Sequence, residues 1–369
     1  MEIKKVDRFL LINILIIAIL GIVFFVSSSL GILVKDKSLF YSALFNQLII
    51  GFVVGILGMF VALKIPYKFW RNNAFYIFLG SILLTALVFV PGLGMNHGGA
   101  TRWISLGFLS FQPAEILKFS FIIYLATWFS WAKHKIHDFK FGILPLALMF
   151  AVVGGVLLLQ PDTKSFLLIL ATGLSMYFLS GVSLKKIAII GGSLTIFLAL
   201  LVATTPYLQK RIQTFLNPAH DAKNSSYQIQ QSFIAIGSGG LFGRGLGQSI
   251  QKFTYLPEAQ GDSIFAVVAE EVGFVGSVVV ILVYLSFALR GMRIANKSPD
   301  SFSRLLVSGI VILFIMQSFM NIASITGLFP LTGVPLVFMS RGGTSIAMFM
   351  FAVGIVLQIS KYQKHRENL

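Results

Sequence analysis

Ten apolar runs, separated by short charged breaks, constrain this chain more than any other feature. They cover residues 9–33, 41–63, 73–92, 112–132, 142–160, 165–182, 186–205, 263–289, 304–327 and 343–360. A helix needs about 20 apolar residues to cross a bilayer, and only helices or closed barrels satisfy every backbone polar group in lipid. The runs therefore predict an all-α polytopic membrane protein with about ten transmembrane helices. The fourth and sixth are cut short by Pro113 and by the polar stretch Gln160-Pro-Asp-Thr-Lys164. Composition agrees: 56% of the 369 residues are hydrophobic and only 11% charged, where a soluble domain carries about 25% charged residues. So apolar a chain has too little polar surface to coat a water-soluble fold. Residues 1–369 read as a single membrane domain. The first run is too long for the core of a secretion signal and lacks a small-x-small cleavage site, so it reads as a retained span.

The net charge of +16 invites a nucleic-acid reading, which its distribution opposes. Ten spans put both termini on one side. With the N-terminus inside, the short inner segments hold Lys4, Lys5 and Arg8; Lys64, Lys68 and Arg71; Lys133, Lys135 and Lys140; Lys185 and Lys186; Arg290, Arg293, Lys297 and Arg304; Lys361, Lys364 and Arg366. These are 18 of the 29 basic residues. The excess is a positive-inside signal that also suits anionic lipid headgroups. It predicts a multi-pass membrane protein, both termini cytoplasmic, with membrane lipids and no nucleic acid as partners. Asp36, Glu115, Asp162, Asp221, Glu258, Asp262, Glu270 and Glu271 fall on the outer side or in the outer half of the membrane. With no cysteine, disulfide and thiolate chemistry are excluded. His97, His134, His137, His220 and His365 are scattered and suggest no metal cluster.

Residues 206–262 form the longest connection, an expected extracytoplasmic loop between the seventh and eighth spans. Loops this long are usually functional or disordered, and this one is not of low complexity. Its spaced apolar residues and the stretch Gly237-Ser-Gly-Gly-Leu-Phe-Gly-Arg-Gly-Leu-Gly247 predict short interfacial helices with tight turns at the glycines. Glycine-rich backbone can also cradle phosphate through its N–H groups.

Asp262 ends this loop, four residues after Glu258. It reads either as the N-cap of the eighth span or as a carboxylate able to take a proton from a sugar hydroxyl. The helix start would favour its anion and lower its pKa. Glu270 and Glu271 lie about two turns further in, where ionisable groups are costly and functional by default; the alternative is a buried pair partner such as Lys118. Glu115 and Lys118 are i,i+3 neighbours, either a self-contained ion pair or one wall of an outward-facing cavity. Asp162 is a helix cap or, with Glu115, part of an oxygen-lined cation site. Arg102, Lys210, Arg211, Arg244, Lys252 and Arg341 are outer-side cations suited to lipid headgroups or to a phosphorylated substrate.

These residues fall in blocks that resemble the SEDS family of bacterial cell growth, division and sporulation proteins. The blocks are Arg102-Trp-Ile with Phe111-Gln-Pro-Ala-Glu-Ile-Leu-Lys118, Leu159-Gln-Pro-Asp162, Tyr227-Gln-Ile-Gln-Gln-Ser232, Ile236 to Gly247, Gln251 to Asp262 running into Phe265 to Gly276, Gly333-Val-Pro-Leu336, and Ser340-Arg-Gly-Gly-Thr-Ser345. They span nearly the whole chain, and Gln251 to Ala259 is most similar to the division branch, with the sporulation branch close. The resemblance implies a peptidoglycan glycosyltransferase polymerising lipid II outside the cytoplasmic membrane. It implies Asp262 as the base on the acceptor 4-hydroxyl and undecaprenyl pyrophosphate as the leaving group. The implied cavity residues are Glu115, Lys118, Arg102, Arg244, Lys252, Glu258, Glu271 and Ser340. A divalent cation, Mg2+ or Mn2+, is implied at Asp162 and Glu115. A class B penicillin-binding protein and other cell-wall assembly proteins are the implied partners. The sequence departs from the family pattern around Asp262 (Gly261, Ser263), at Gln160, at Val337 and Arg341, and at Lys164, where glycine is usual. Lys164 can supply the positive charge that a metal would otherwise bring. Two other functions compete: a lipid-linked sugar transporter, which would place ionisable groups near the midplane of repeated halves, and a non-catalytic scaffold of the division machinery.

Overall fold

The computed structural model describes residues 5–97, 100–105, 110–218 and 226–363. Lys4, His220, Asp221, Lys364, His365 and Arg366 lie outside the described residues. A helix occupies each expected apolar run: α1 (Arg8–Lys35), α2 (Lys37–Lys64), α3 (Ala74–Phe89), α4 (Pro113–Trp131), α5 (Phe139–Leu159), α6 (Thr163–Leu179), α7 (Leu184–Thr204), α8 (Ile264–Asn296), α9 (Ser301–Ile325) and α10 (Gly343–Ser360). Seven of these, α1, α2, α5 and α7 to α10, are long and apolar enough to cross a membrane by length and composition. The bundle turns apolar side chains outward, among them Phe9, Ile12, Ile19, Leu57, Phe60 and Leu282. So much exposed apolar surface fits lipid rather than water.

Local chemistry sets the helix ends. Asp7 caps α1 by accepting from Leu10 N, Asp36 caps α2, and Asp300 forms a capping box with Ser303 on α9. Pro113 occupies the first turn of α4, where its missing N–H costs nothing. Helix α2 widens to π geometry over Asn46–Val53. There buried Gln47 donates to Ser340 O at 3.0 Å and accepts from Gly342 N at 3.1 Å, tying α2 to the turn before α10.

Helices α4, α9 and α10 form the centre, and most of their residues are buried. Phe287, Phe314, Phe338 and Phe349 pack edge-on or tilted around it, with Phe287 and Phe314 ring centres 4.3 Å apart. Helix α7 buries no residue and lies at the periphery.

Three features depart from ten uninterrupted helices. A small antiparallel sheet joins α3 to α4, with β1 (Gly94–His97), β2 (Ala100–Ser105) and β3 (Ser110–Phe111) in the order β1-β2-β3 and Ile104 opposite both Gly94 and Phe111. A short helix, Tyr67–Asn72, precedes α3. Helix α8 is broken at Gly273 (φ +69°), a conformation that favours glycine. The break frees backbone groups on both sides, and the glycine-rich stretch takes them up. Arg244 N and Gly245 N donate to Glu270 O and Glu271 O, while Phe274 N and Val275 N donate to Gly240 O and Leu241 O. These loop N–H groups hold the broken helix and do not form a phosphate cradle. Residues 206–262 also contain the expected short helices, Pro206–Leu216, Tyr227–Ser238 and Gln251–Thr254.

Candidate active site

Asp262 sits in the turn entering α8. The helix starts at Ile264 with Ser263 at its N-cap and no side-chain cap, so Asp262 is not the capping residue. Its Oδ1 accepts from Gln228 Nε2 at 3.1 Å, and the same amide donates to Ser263 Oγ at 2.9 Å. From α9, Asn321 Nδ2 donates to the carbonyls of Asp262 and Val334. One turn earlier, Gln317 Nε2 donates to Pro335 O at 3.3 Å. The helix thus fixes the Asp262 turn and the 333–335 segment together.

The second carboxylate oxygen faces Gly333 (φ +68°). A Cβ placed on Gly333 would lie 3.5 Å from Asp262 Oδ2 and 3.6 Å from Arg211 Nη2. Lys164 Nζ donates to the Gly333 carbonyl at 2.8 Å, and Arg211 Nη1 donates to Leu331 O. Arg102, carried on β2, donates Nε to Gln160 O at 3.2 Å and Nη2 to Pro161 O. Asp262, Lys164, Arg211 and Arg102 are each half-buried, so one carboxylate and three cations line a cleft that solvent can reach. The glycine at 333 keeps that cleft clear between Asp262 and Arg211.

Asp262 stands above its usual carboxylate pKa. Burial is the main cause and the nearby Glu258 carboxylate adds to it; Lys164, Arg211 and the Gln228 hydrogen bond pull the other way. The lowering expected from the helix start is outweighed by desolvation. Glu258 itself is exposed at the rim.

Glu115 and Lys118 pair at 2.8 Å on α4, both buried, and Lys118 Nζ also donates to Gln317 Oε1 at 2.8 Å. Asp162 is fully buried and caps α6. Its Oδ2 accepts from Gln112 Nε2 at 3.0 Å and Ser165 Oγ at 2.8 Å, and Ser165 N approaches Oδ1 at 3.4 Å. A resident divalent ion needs several free oxygen donors converging on one point. Here Asp162 is spent on capping and Glu115 on Lys118. Among the described residues no three His, Asp or Glu groups gather around a common point. The donor set does not fit a resident divalent cation.

Four residues of the expected cavity lie elsewhere. Lys252 and Glu271 form a fully buried pair at 2.6 Å, with Lys252 Nζ also donating to Ser27 Oγ and Gly247 O. Glu270 accepts from Ser249 Oγ, Ile250 N and Gln251 N, with Arg244 at 3.7 Å. The two glutamates thus clamp the loop onto α1 and α8, and neither pairs with Lys118. Ser340 is buried, its Oγ accepting from Leu336 N at 2.8 Å to close a turn. Gln228, Gln317 and Asn321 were not singled out from sequence; Gln317 and Asn321, four apart within an apolar run, were the available signal.

Residues 7–365 match the FtsW/RodA/SpoVE family of cell cycle proteins. The probable peptidoglycan glycosyltransferase FtsW of Trichlorobacter lovleyi is 38% identical over 97% of this chain and 94% of its own length. The stage V sporulation protein E of Bacillus subtilis is 38% identical over 85% of each chain. Among solved structures, a chain from a peptidoglycan synthase complex that coordinates polymerization and crosslinking superposes with a TM-score of 0.80 at 26% identity, covering 97% of this chain and 99% of that one. The rod shape determining protein RodA of Thermus thermophilus superposes at 0.71 with 26% identity, over 97% of this chain and 98% of its own. The matched length and the helices that frame the Asp262 cleft lead to one conclusion: this chain belongs to the FtsW/RodA/SpoVE family.

Proposed function

We propose that the protein is a peptidoglycan glycosyltransferase that polymerises lipid II at the outer face of the bacterial cytoplasmic membrane. The observation that carries this reading is the cleft itself: one carboxylate, Asp262, held by Gln228 and Asn321 and faced by Lys164 and Arg211, with Arg102 beside those two cations. Asp262 takes the proton from the acceptor sugar's 4-hydroxyl. That oxygen forms the bond to C1 of the donor sugar with inversion, and the bond from C1 to the lipid pyrophosphate breaks. The raised pKa of Asp262 makes its anion a better base than an exposed carboxylate. The leaving group already bears charge, so it calls for cations rather than a strong acid. Relatives from division and sporulation stand at equal identity, so the reading covers their shared chemistry.

In this reading the 206–262 segment and the Asp262 cleft face outward, both termini are cytoplasmic, and the protein works beside a class B penicillin-binding protein that supplies crosslinking. The purified protein, alone and with its cognate transpeptidase, is expected to convert lipid II into glycan strands resolved on a gel. Lipid II moved across vesicle membranes with no strand formed would favour a transporter. Strands formed only by another polymerase would favour a scaffold.

A further inference from the structure

The charged groups in this molecule are disposed in two different ways. Lys118, Lys252, Arg244 and Arg290 each face a carboxylate within ion-pairing distance, and three of those four carboxylates belong to structural clamps or caps. Lys164 differs. Among the described residues no carboxylate lies within ion-pairing distance of its ammonium, which donates to the Gly333 carbonyl at 2.8 Å. An ammonium has three N–H donors, the Gly333 carbonyl takes one of them, and the side chain is half-buried. The anchoring carbonyl belongs to the residue whose α-carbon faces Asp262 Oδ2 and Arg211 Nη2. One backbone unit therefore sets the distance between the base and this cation.

The Asp162 oxygens that would hold a metal accept hydrogen bonds, and Glu115 Oε2 pairs with Lys118. Asp162, two residues before Lys164, is committed to Gln112 and to the first turn of α6. A divalent ion at this place would also have to share the cleft with the Lys164 ammonium, and two cations a few ångströms apart repel strongly in a partly desolvated site.

We propose that Lys164 is the fixed cation of the glycosyl-transfer centre, so that this chain polymerises without a divalent metal. The inference rests on the polymerase reading and deepens it. As the acceptor oxygen bonds to C1, its proton passes to Asp262. The C1–oxygen bond to the lipid pyrophosphate breaks, and its electron pair leaves on the pyrophosphate oxygen. The Lys164 ammonium donates hydrogen bonds to that pyrophosphate. Nothing is oxidised or reduced.

The test uses the full-length protein with its partner transpeptidase. Wild type is expected to make glycan at the same rate, within about twofold, in EDTA and in Mg2+ or Mn2+. Lys164→Met is expected to lower kcat in EDTA by about 10²–10³-fold, the usual loss for one transition-state donor, with a much smaller change in KM. Lys164→Arg is expected to restore part of that rate, which a purely structural role would not do. A second readout is independent of turnover: electron paramagnetic resonance of Mn2+ added to the purified protein. Free Mn2+ signal is expected to persist with wild type up to millimolar concentration. Stoichiometric Mn2+ uptake by wild type, or activity abolished by EDTA and rescued by Mg2+, would overturn the inference and leave the polymerase reading standing. Full EDTA-resistant activity in Lys164→Met would overturn it too. Absence of glycan from wild type under every cation condition would remove the polymerase reading and this inference with it.

Discussion

The side-chain amide of Asn321 donates to the backbone carbonyl of Asp262 at 2.7 Å, and to that of Val334 at 2.8 Å. A neutral amide on a central helix thus fixes both the turn that carries the base and the segment that carries Gly333. Asn321→Ala leaves the buried Val334 carbonyl without its donor, at a cost of about 1–3 kcal/mol, and the part-buried Asp262 carbonyl loses the same partner. It also frees the Asp262 turn to shift, and misplacement by about 1 Å can cost 10²-fold in rate. The expected result is a fall in kcat of about that size with the acid limb of the pH profile unmoved. A variant that melts earlier yet polymerises at the wild-type rate would limit Asn321 to stability.

The base titrates in a setting that lifts its pKa, and Glu258 is one of the causes. Activity needs the Asp262 anion, so kcat/KM rises with pH through that raised pKa. Removing the Glu258 charge lowers it. Glu258→Gln is therefore expected to move the acid limb to lower pH, and Arg211→Gln to move it higher. A limb that stays in place in both variants would mean that another group sets it.

Much of this fold is legible in the sequence for one physical reason. A bilayer demands unbroken apolar length, so the ten runs announce ten helices. The break at Gly273 is not legible, because the apolar pattern continues through it and its partners lie some 30 residues away in the glycine-rich stretch. The β1–β3 sheet is too short to show a period. At the site, Asp262 stands out as a charge next to an apolar run, and Arg102 by its place in the Arg102-Trp-Ile block. Lys164 and Arg211 carry the same signal as Lys210, and only the fold shows which of them reach Gly333. Glu271 looks like a site residue by depth alone, yet its partner, Lys252, makes it a buried clamp.

That clamp predicts a stability effect separable from catalysis. Lys252→Met leaves the Glu271 charge buried without its partner, which is expected to cost about 3–5 kcal/mol. Lys252→Met combined with Glu271→Leu removes both charges and is expected to recover most of the loss. Denaturant unfolding in detergent measures both; a single variant as stable as wild type would contradict the account.

Orientation is open to direct labelling, since the chain has no cysteine. A cysteine at the exposed Leu216 is expected to react with a membrane-impermeant maleimide in intact cells. One at the exposed Lys135 is expected to react only after lysis. The opposite pattern would invert the proposed topology.

The most direct measurement is lipid II polymerisation by purified wild type and Asp262→Asn, each with its partner transpeptidase and each shown to fold and bind that partner. A general base contributes about 10²–10⁴-fold, so the variant is expected to lose at least that much rate with its complex intact. Glycan strands formed by Asp262→Asn at the wild-type rate would contradict the account.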